Sequence, residues 1–167
     1  MTQIHYTIYE TVYRRYGRIL QIDYEYEETK SEQIEENMQV RQEKLEKKYT
    51  ASFKRDEYER IANEMKYQRD VLPFDAFVKI IRPFLMGTYA ANEIREAFLL
   101  LDTDSSNTID LYELSAFISV IHPNMSKDAI LNFIHKVSKN GQQEIDFNQF
   151  VQMVLEGIGR DIVCGHI

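Results

Sequence analysis

The chain has 167 residues, 44% of them hydrophobic, enough for one ordinary domain or two small lobes and too apolar for disorder throughout. With 27 acidic against 20 basic residues and a net charge of -7, bulk charge argues against a nucleic-acid or anionic-membrane binder and favours cations and basic peptides as partners. A single cysteine, Cys164, excludes an internal disulfide; with no signal-like segment and no apolar run of about 18 residues, the expectation is a cytoplasmic chain without an integral membrane segment.

Only 3 Pro and 6 Gly interrupt the chain, and apolar residues recur at three- and four-residue steps, so the expected fold class is all-α. Tyr9, Val12, Tyr13, Tyr16 and Leu20 fit one helical face, although a region so rich in tyrosine and isoleucine also suits strands. Helix is preferred there. Between Asp23 and Glu36 seven acidic residues accompany one lysine, Lys30, which reads as a solvated or disordered stretch or as a docking surface for a basic partner. Ile34, Met38, Leu45 and Tyr49 then form a thin apolar seam on a highly charged helix, and Ser52 is placed to cap a further helix carrying Tyr58, Ile61, Ala62 and Met65.

Beyond residue 90 the periodicity is clear. Ile94, Ala97, Phe98 and Leu101 line one helical face, and after a polar stretch Leu114, Phe117, Ile118 and Ile121 line another. His122-Pro123-Asn124 ends that second helix, because proline has no backbone donor and restricts its predecessor. Ser126 is the expected N-cap of the next helix, with Asp128 in its first turn and Ile130, Phe133, Ile134 and Val137 on one face. A polar stretch from Ser138 to Gln149 leads to Phe150, Val151 and Val154. Helix, polar loop and helix thus occur twice, about 36 residues apart, which is an internal repeat.

The first polar loop, Asp102 to Glu113, carries the chemistry. Calcium takes about six to eight oxygen ligands, and a twelve-residue EF-hand loop supplies them from positions 1, 3, 5, 7, 9 and 12. Asp102, Asp104 and Ser106 offer side-chain oxygens, Thr108 its carbonyl, Asp110 an oxygen reached through water, and Glu113 both carboxylate oxygens. Ile109, at the eighth position, is the apolar anchor. The sixth position, where glycine is usual for the sharp turn, holds Asn107, the best non-glycine substitute in the left-handed region. Four carboxylates place the affinity in the sensor range, about 10⁻⁷ to 10⁻⁵ M and toward its weak end.

The second loop aligns when Ile145 takes the place of Ile109. Ser138 then replaces the leading aspartate and Gln149 the terminal glutamate, with Asn140, Gln142, the Glu144 carbonyl and Asp146 between them. Loss of charge predicts a metal-free loop whose role is structural, pairing with the first through backbone hydrogen bonds between Ile109 and Ile145.

These residues carry a resemblance. Glu93-Ile94-Arg95-Glu96-Ala97-Phe98 and Phe150-Val151-Gln152-Met153-Val154 are close to calmodulin, and Asp102-Thr103-Asp104 with Thr108-Ile109-Asp110 is similar to centrin; residues 88 to 156 resemble the calmodulin superfamily. The resemblance implies calmodulin-like EF-hand helix-loop-helix pairs, a divergent N-terminal helical region over 1–86 with a degenerate hand near 53–84, and a C-terminal pair plus short tail over 87–167. Leu72-Pro73-Phe74-Asp75-Ala76-Phe77 looks like the exit of that metal-free remnant, and a further remnant within residues 9 to 49 stays open. It also implies one bound calcium ion and recognition of an amphipathic target helix, with calcium opening a methionine-rich groove. Met153 suits such a groove or the core. The expected function is a calcium-responsive helix-binding module, the alternative a calcium-independent structural subunit resembling a myosin light chain. His5, His122, His135 and His166 fall in unrelated contexts without a nucleophile elbow, phosphate loop or zinc spacing, so no enzyme is expected. Oligomeric state is not encoded in any of these patterns.

Overall fold

A computed structural model describes residues 2–33, 40–41, 47–64, 72–87, 91–138 and 141–164. They fall into two compact units, Met1–Phe53 and Lys54–Ile167.

The first unit is a sheet, which corrects the all-α expectation. Strand β1 (Thr2–Arg15) runs antiparallel to β2 (Arg18–Gln33) from Thr2 opposite Glu32 to Arg15 opposite Arg18. The connection is Tyr16-Gly17, with φ of 49° and 76°. Two consecutive left-handed residues are what a two-residue hairpin turn requires, because its twist then matches that of the strands. Strands β3 (Val40–Arg41) and β4 (Lys47–Lys54) also pair with β2.

The acidic stretch read as solvated or disordered is therefore largely a strand. Ile22, Tyr24 and Tyr26 are buried at alternate positions, while Asp23, Glu25 and Glu27 take the opposite face. Tyr26 lies against Tyr49 with ring centroids 5.9 Å apart, and Tyr24 meets Phe53 edge-on. On the acidic face the Ser52 hydroxyl donates to Asp23 Oδ1 at 2.6 Å, and Lys48 Nζ sits 3.0 Å from Glu25 Oε2. Those partners keep like charges on one strand apart. Ser52 thus bonds across the sheet and caps no helix. The charged helix expected over Ile34 to Tyr49 is replaced by strand at Val40–Arg41 and from Lys47; Ile34, Met38 and Leu45 lie outside the described residues.

The second unit is helical. Helix α1 (Arg55–Glu64) carries buried Tyr58, whose hydroxyl donates to the Leu72 carbonyl at 2.5 Å; Met65, expected to extend its face, lies outside the described residues. Burial raises the Tyr58 pKa far above its ordinary value. Helix α2 (Phe74–Met86) follows, its Asp75 held by the buried Arg55 guanidinium, which also stacks over Phe74. Helices α3 (Ala91–Leu101), α4 (Leu111–Ile121), α5 (Lys127–Ser138) and α6 (Phe147–Leu155) form the expected repeat. Their apolar faces are buried at Ile94, Ala97, Phe98 and Leu101 on α3, at Leu114, Phe117 and Ile118 on α4, and at Ile130, Phe133, Ile134 and Val137 on α5, while Ile121, expected on the α4 face, is half-buried. Ser126 accepts from Ala129 N, the capping bond its position predicts.

Two short strands, β5 (Thr108–Asp110) and β6 (Glu144–Asp146), join the repeats antiparallel, with Ile109 opposite Ile145. Both isoleucines are fully buried. The expected short tail is partly a helix, α7 (Ile158–Cys164), which buries Ile162 and Val163. His122 Nε2 lies 2.6 Å from the Ile162 carbonyl, tying α7 to the end of α4. Among the described residues no helix is long and apolar enough to cross a membrane.

Candidate metal centre

The loop between α3 and α4 is shaped by its own side chains. Asp102, only 4% exposed, accepts from Ser106 N through Oδ1 and from Asn107 N through Oδ2, both at 2.9 Å. One carboxylate therefore gathers the backbone of the whole first half of the loop. To reach it the chain turns twice through the left-handed region, at Ser105 (φ 60°) and Asn107 (φ 66°). Asn107 performs the turn usually given to glycine, as its side chain allows.

Asp104 is fully exposed, and its carboxylate accepts from Ser106 N at 3.0 Å. The Ser106 hydroxyl and then the Ser106 backbone N–H hold its pKa below the ordinary carboxylate value. A carboxylate so held stays charged where calcium would be met. The Ser106 hydroxyl also lies 3.1 Å from the Thr108 carbonyl, which brings the fifth- and seventh-position oxygens side by side.

Glu113 closes the loop from the first turn of α4. Its Oε1 accepts from Thr103 N at 2.7 Å and from the Thr103 hydroxyl at 3.0 Å, while Oε2 accepts from Asp110 N at 3.1 Å. Asp110 is the N-cap of α4 and accepts from Glu113 N at 2.9 Å, completing a capping box. The same glutamate thus starts the helix and turns its carboxylate back over the loop.

Carboxylate oxygens of Asp102, Asp104 and Glu113 lie within 4.8 Å of one another. Three carboxylates this close repel unless a cation or hydrogen-bond donors offset them, and their oxygens are the hard donors calcium prefers. The residues present fit that ion. Of the six positions expected from the sequence, three carboxylates converge, Ser106 and the Thr108 carbonyl adjoin them, and Asp110 is occupied as the helix cap. Thr103, which holds Glu113 with both its amide and its hydroxyl, was not singled out in the sequence; no spacing rule marks the second loop position.

The second loop has the same frame with other chemistry. Asp146 caps α6 and forms a capping box with Gln149, as Asp110 does with Glu113. Gln149, however, donates its amide to the Ser138 carbonyl at 3.2 Å, and the Ser138 hydroxyl donates to the Gln142 carbonyl at 3.0 Å. Donors stand where the first loop has acceptors. The left-handed turn falls at Gly141 (φ 67°), the fourth position.

Residues 91–155 match the EF-hand domain pair. Calhepatin of Lepidosiren paradoxus is 32% identical over 60 residues, 36% of this chain and 80% of calhepatin. The chain belongs to the calmodulin superfamily of EF-hand proteins. The Arabidopsis thaliana "Probable calcium-binding protein CML20" is 42% identical over 74 residues, 44% of each chain, and centrin-1 of Bos taurus 36% identical over 64 residues, 38% of this chain and 37% of centrin-1. This EF-hand protein therefore spans less than half the length of either of those two relatives. The EF-hand pair is the part of the chain that it shares with these calcium-binding relatives.

Proposed function

We propose that the protein is a calcium-responsive module that binds a target helix and holds one calcium ion in the loop 102–113. The observation carrying this reading is the convergence of the Asp102, Asp104 and Glu113 carboxylates within 4.8 Å. Asp102, Asp104, Ser106, the Thr108 carbonyl, Asp110 through water and Glu113 would hold the ion, with Glu113 bidentate. Bound there, calcium supplies the positive charge that offsets the clustered carboxylates. The chain's own residues do the rest: Asp102 and Thr103 keep the loop in its closed shape, and Glu113 couples the loop to the first turn of α4.

We place the calcium-binding pair and its tail in residues 87–167 and a metal-free remnant hand in 53–84, whose helices are α1 and α2 and whose loop, from Met65 onward, lies largely outside the described residues. The loop 138–149 is metal-free in this reading, because its first and last positions have lost their carboxylates. Calcium at the one site stabilises the pair by about 2.7 kcal/mol at a hundredfold excess over the dissociation constant. We infer no catalytic role and a cytoplasmic setting.

Calorimetry tests the site directly, with a stoichiometry of one calcium per chain expected. A stoichiometry of zero removes the site, and two removes the metal-free reading of the second loop. A second reading, a calcium-independent structural subunit, is favoured by the internal hydrogen bonds that close the loop 138–149 without an ion; one of the relatives, 33% identical over 60 residues, is named a dynein 18 kDa light chain of the flagellar outer arm in Chlamydomonas reinhardtii. Equal target-helix affinity with calcium and with chelator selects that reading.

A further inference from the structure

EF-hands bury their apolar faces by pairing, and α3 to α6 form one complete pair. Helices α1 and α2, read above as a remnant hand, have no second hand paired with them among the described residues, where residues 2–33 form a hairpin instead of helices. Their apolar face needs another cover. Helix α2 finds it on the α3–α6 pair: Phe77 lies 5.6 Å from Phe117, Phe84 lies 5.1 Å from Phe117 and 5.7 Å from Phe150, and Phe77, Ile80, Ile81 and Phe84 are all fully buried. Phe117 belongs to α4 and Phe150 to α6, the exiting helices of the two hands. On its outer side α2 is basic against acidic α3, with Lys79 Nζ 2.6 Å from Glu96 and Arg82 Nη1 3.2 Å from Glu93. Those exposed pairs set register more than they add stability.

Helix α7 then closes over the same place. Arg160 Nε donates to the Leu85 carbonyl at 2.9 Å, and a Cβ on Gly159 would overlap the Phe84 ring, so backbone of α7 rests directly on that anchor.

A helix with aromatic anchors seven residues apart, isoleucines between them and basic residues on its rim is the kind that fills a groove on a helical pair. We propose that α2 is an internal occupant of the target groove of the α3–α6 pair, latched by α7, and that an external partner is a basic amphipathic helix of the same pattern that must displace it. This rests on the helix-binding reading above. The partner chemistry follows from α2: anchors equivalent to Phe77 and Phe84, and cations facing Glu93 and Glu96.

The test uses the full chain with calcium saturating and, as probe, a labelled peptide of residues 73–86. A groove filled by α2 nine-tenths of the time binds the probe about tenfold more weakly than an emptied one. Phe84→Ala, which removes an anchor, is therefore expected to bind the probe about tenfold more tightly than the unaltered chain, and Arg160→Ala, which loosens only the latch, by a smaller factor. Equal binding by all three chains overturns internal occupancy and leaves helix binding standing. Binding by none, with calcium stoichiometry intact, overturns helix binding and this proposal together. Because the chain has no tryptophan, Phe84→Trp, an aromatic exchange at the anchor itself, gives a second readout. Its emission is expected to start blue-shifted and move red as unlabelled probe is added; probe binding with unmoved emission overturns the proposal.

Discussion

The loops 102–113 and 138–149 share a backbone plan and differ in what their side chains offer. Each places a fully buried isoleucine at its eighth position, each starts its exiting helix with an aspartate capping box, and the two meet through β5 and β6. At the ends they part. Asp102 and Glu113 present acceptors to the loop interior, whereas Ser138 and Gln149 present donors that close onto Gln142 and Ser138 carbonyls. The pairing scaffold thus depends on apolar burial and capping, which both loops keep, while the carboxylates that converge among the described residues belong to the first loop.

The largest expected effects concern what the loops share. Ile109→Ala and Ile145→Ala should each lower unfolding free energy by about 2–5 kcal/mol, because each leaves a cavity in the same buried contact. Urea denaturation checks this, and a clear inequality between them would break the structural equivalence of the loops. Next comes the charge at the twelfth position. Glu113→Gln, which gives the first loop the residue of the second, should weaken calcium binding by about a hundredfold, or about 2.7 kcal/mol, by calorimetry. Unaltered affinity would remove Glu113 from the ligand set.

The reverse exchange is weaker. Ser138→Asp combined with Gln149→Glu should bring a second calcium at roughly 10⁻⁴ M, since the remaining positions stay poor in charge. A stoichiometry that stays at one would mean that backbone shape, with its left-handed turn at Gly141, excludes the ion. The turns themselves contribute less: Asn107→Gly should stabilise the first loop by up to about 1 kcal/mol by easing its positive φ, and Gly141→Ala should cost the second about 1 kcal/mol. Thermal melts in chelator read both.

The smallest effect is a titration. Asp104 has its pKa lowered by the Ser106 hydroxyl and amide, so its favourable contribution is complete above the ordinary carboxylate value and is lost as pH falls through the depressed one. Ser106→Ala should move that titration upward in the calcium-free protein, read by carboxyl NMR. An unmoved Asp104 would assign the depression to the loop backbone alone.

Helices α3 to α6 and the first loop were legible because their signals are local. Faces such as Ile130, Phe133, Ile134 and Val137 repeat at helical spacing, and the ligand positions are set by counting along a dozen residues. The hairpin was harder to read because Ile22, Tyr24 and Tyr26 alternate with acids whose charge dominates any count of composition, and because Asp23 and Glu25 find Ser52 and Lys48 only across strands distant in sequence. The helical grouping of Tyr9, Val12 and Tyr13 fitted one face equally well on paper, and strand pairing decided against it.

Sequence alone determined which loop carries charge and oxygen donors at the ligand positions, since these are properties of the residues themselves. It also determined the paired repeat, through periodicity and two isoleucines 36 positions apart. Only tertiary structure decided where α2 and α7 lie. An apolar helical face states that it must be covered but carries no record of by what; that choice is made by which complementary surface, here Phe117 and Phe150, the folded chain leaves within reach.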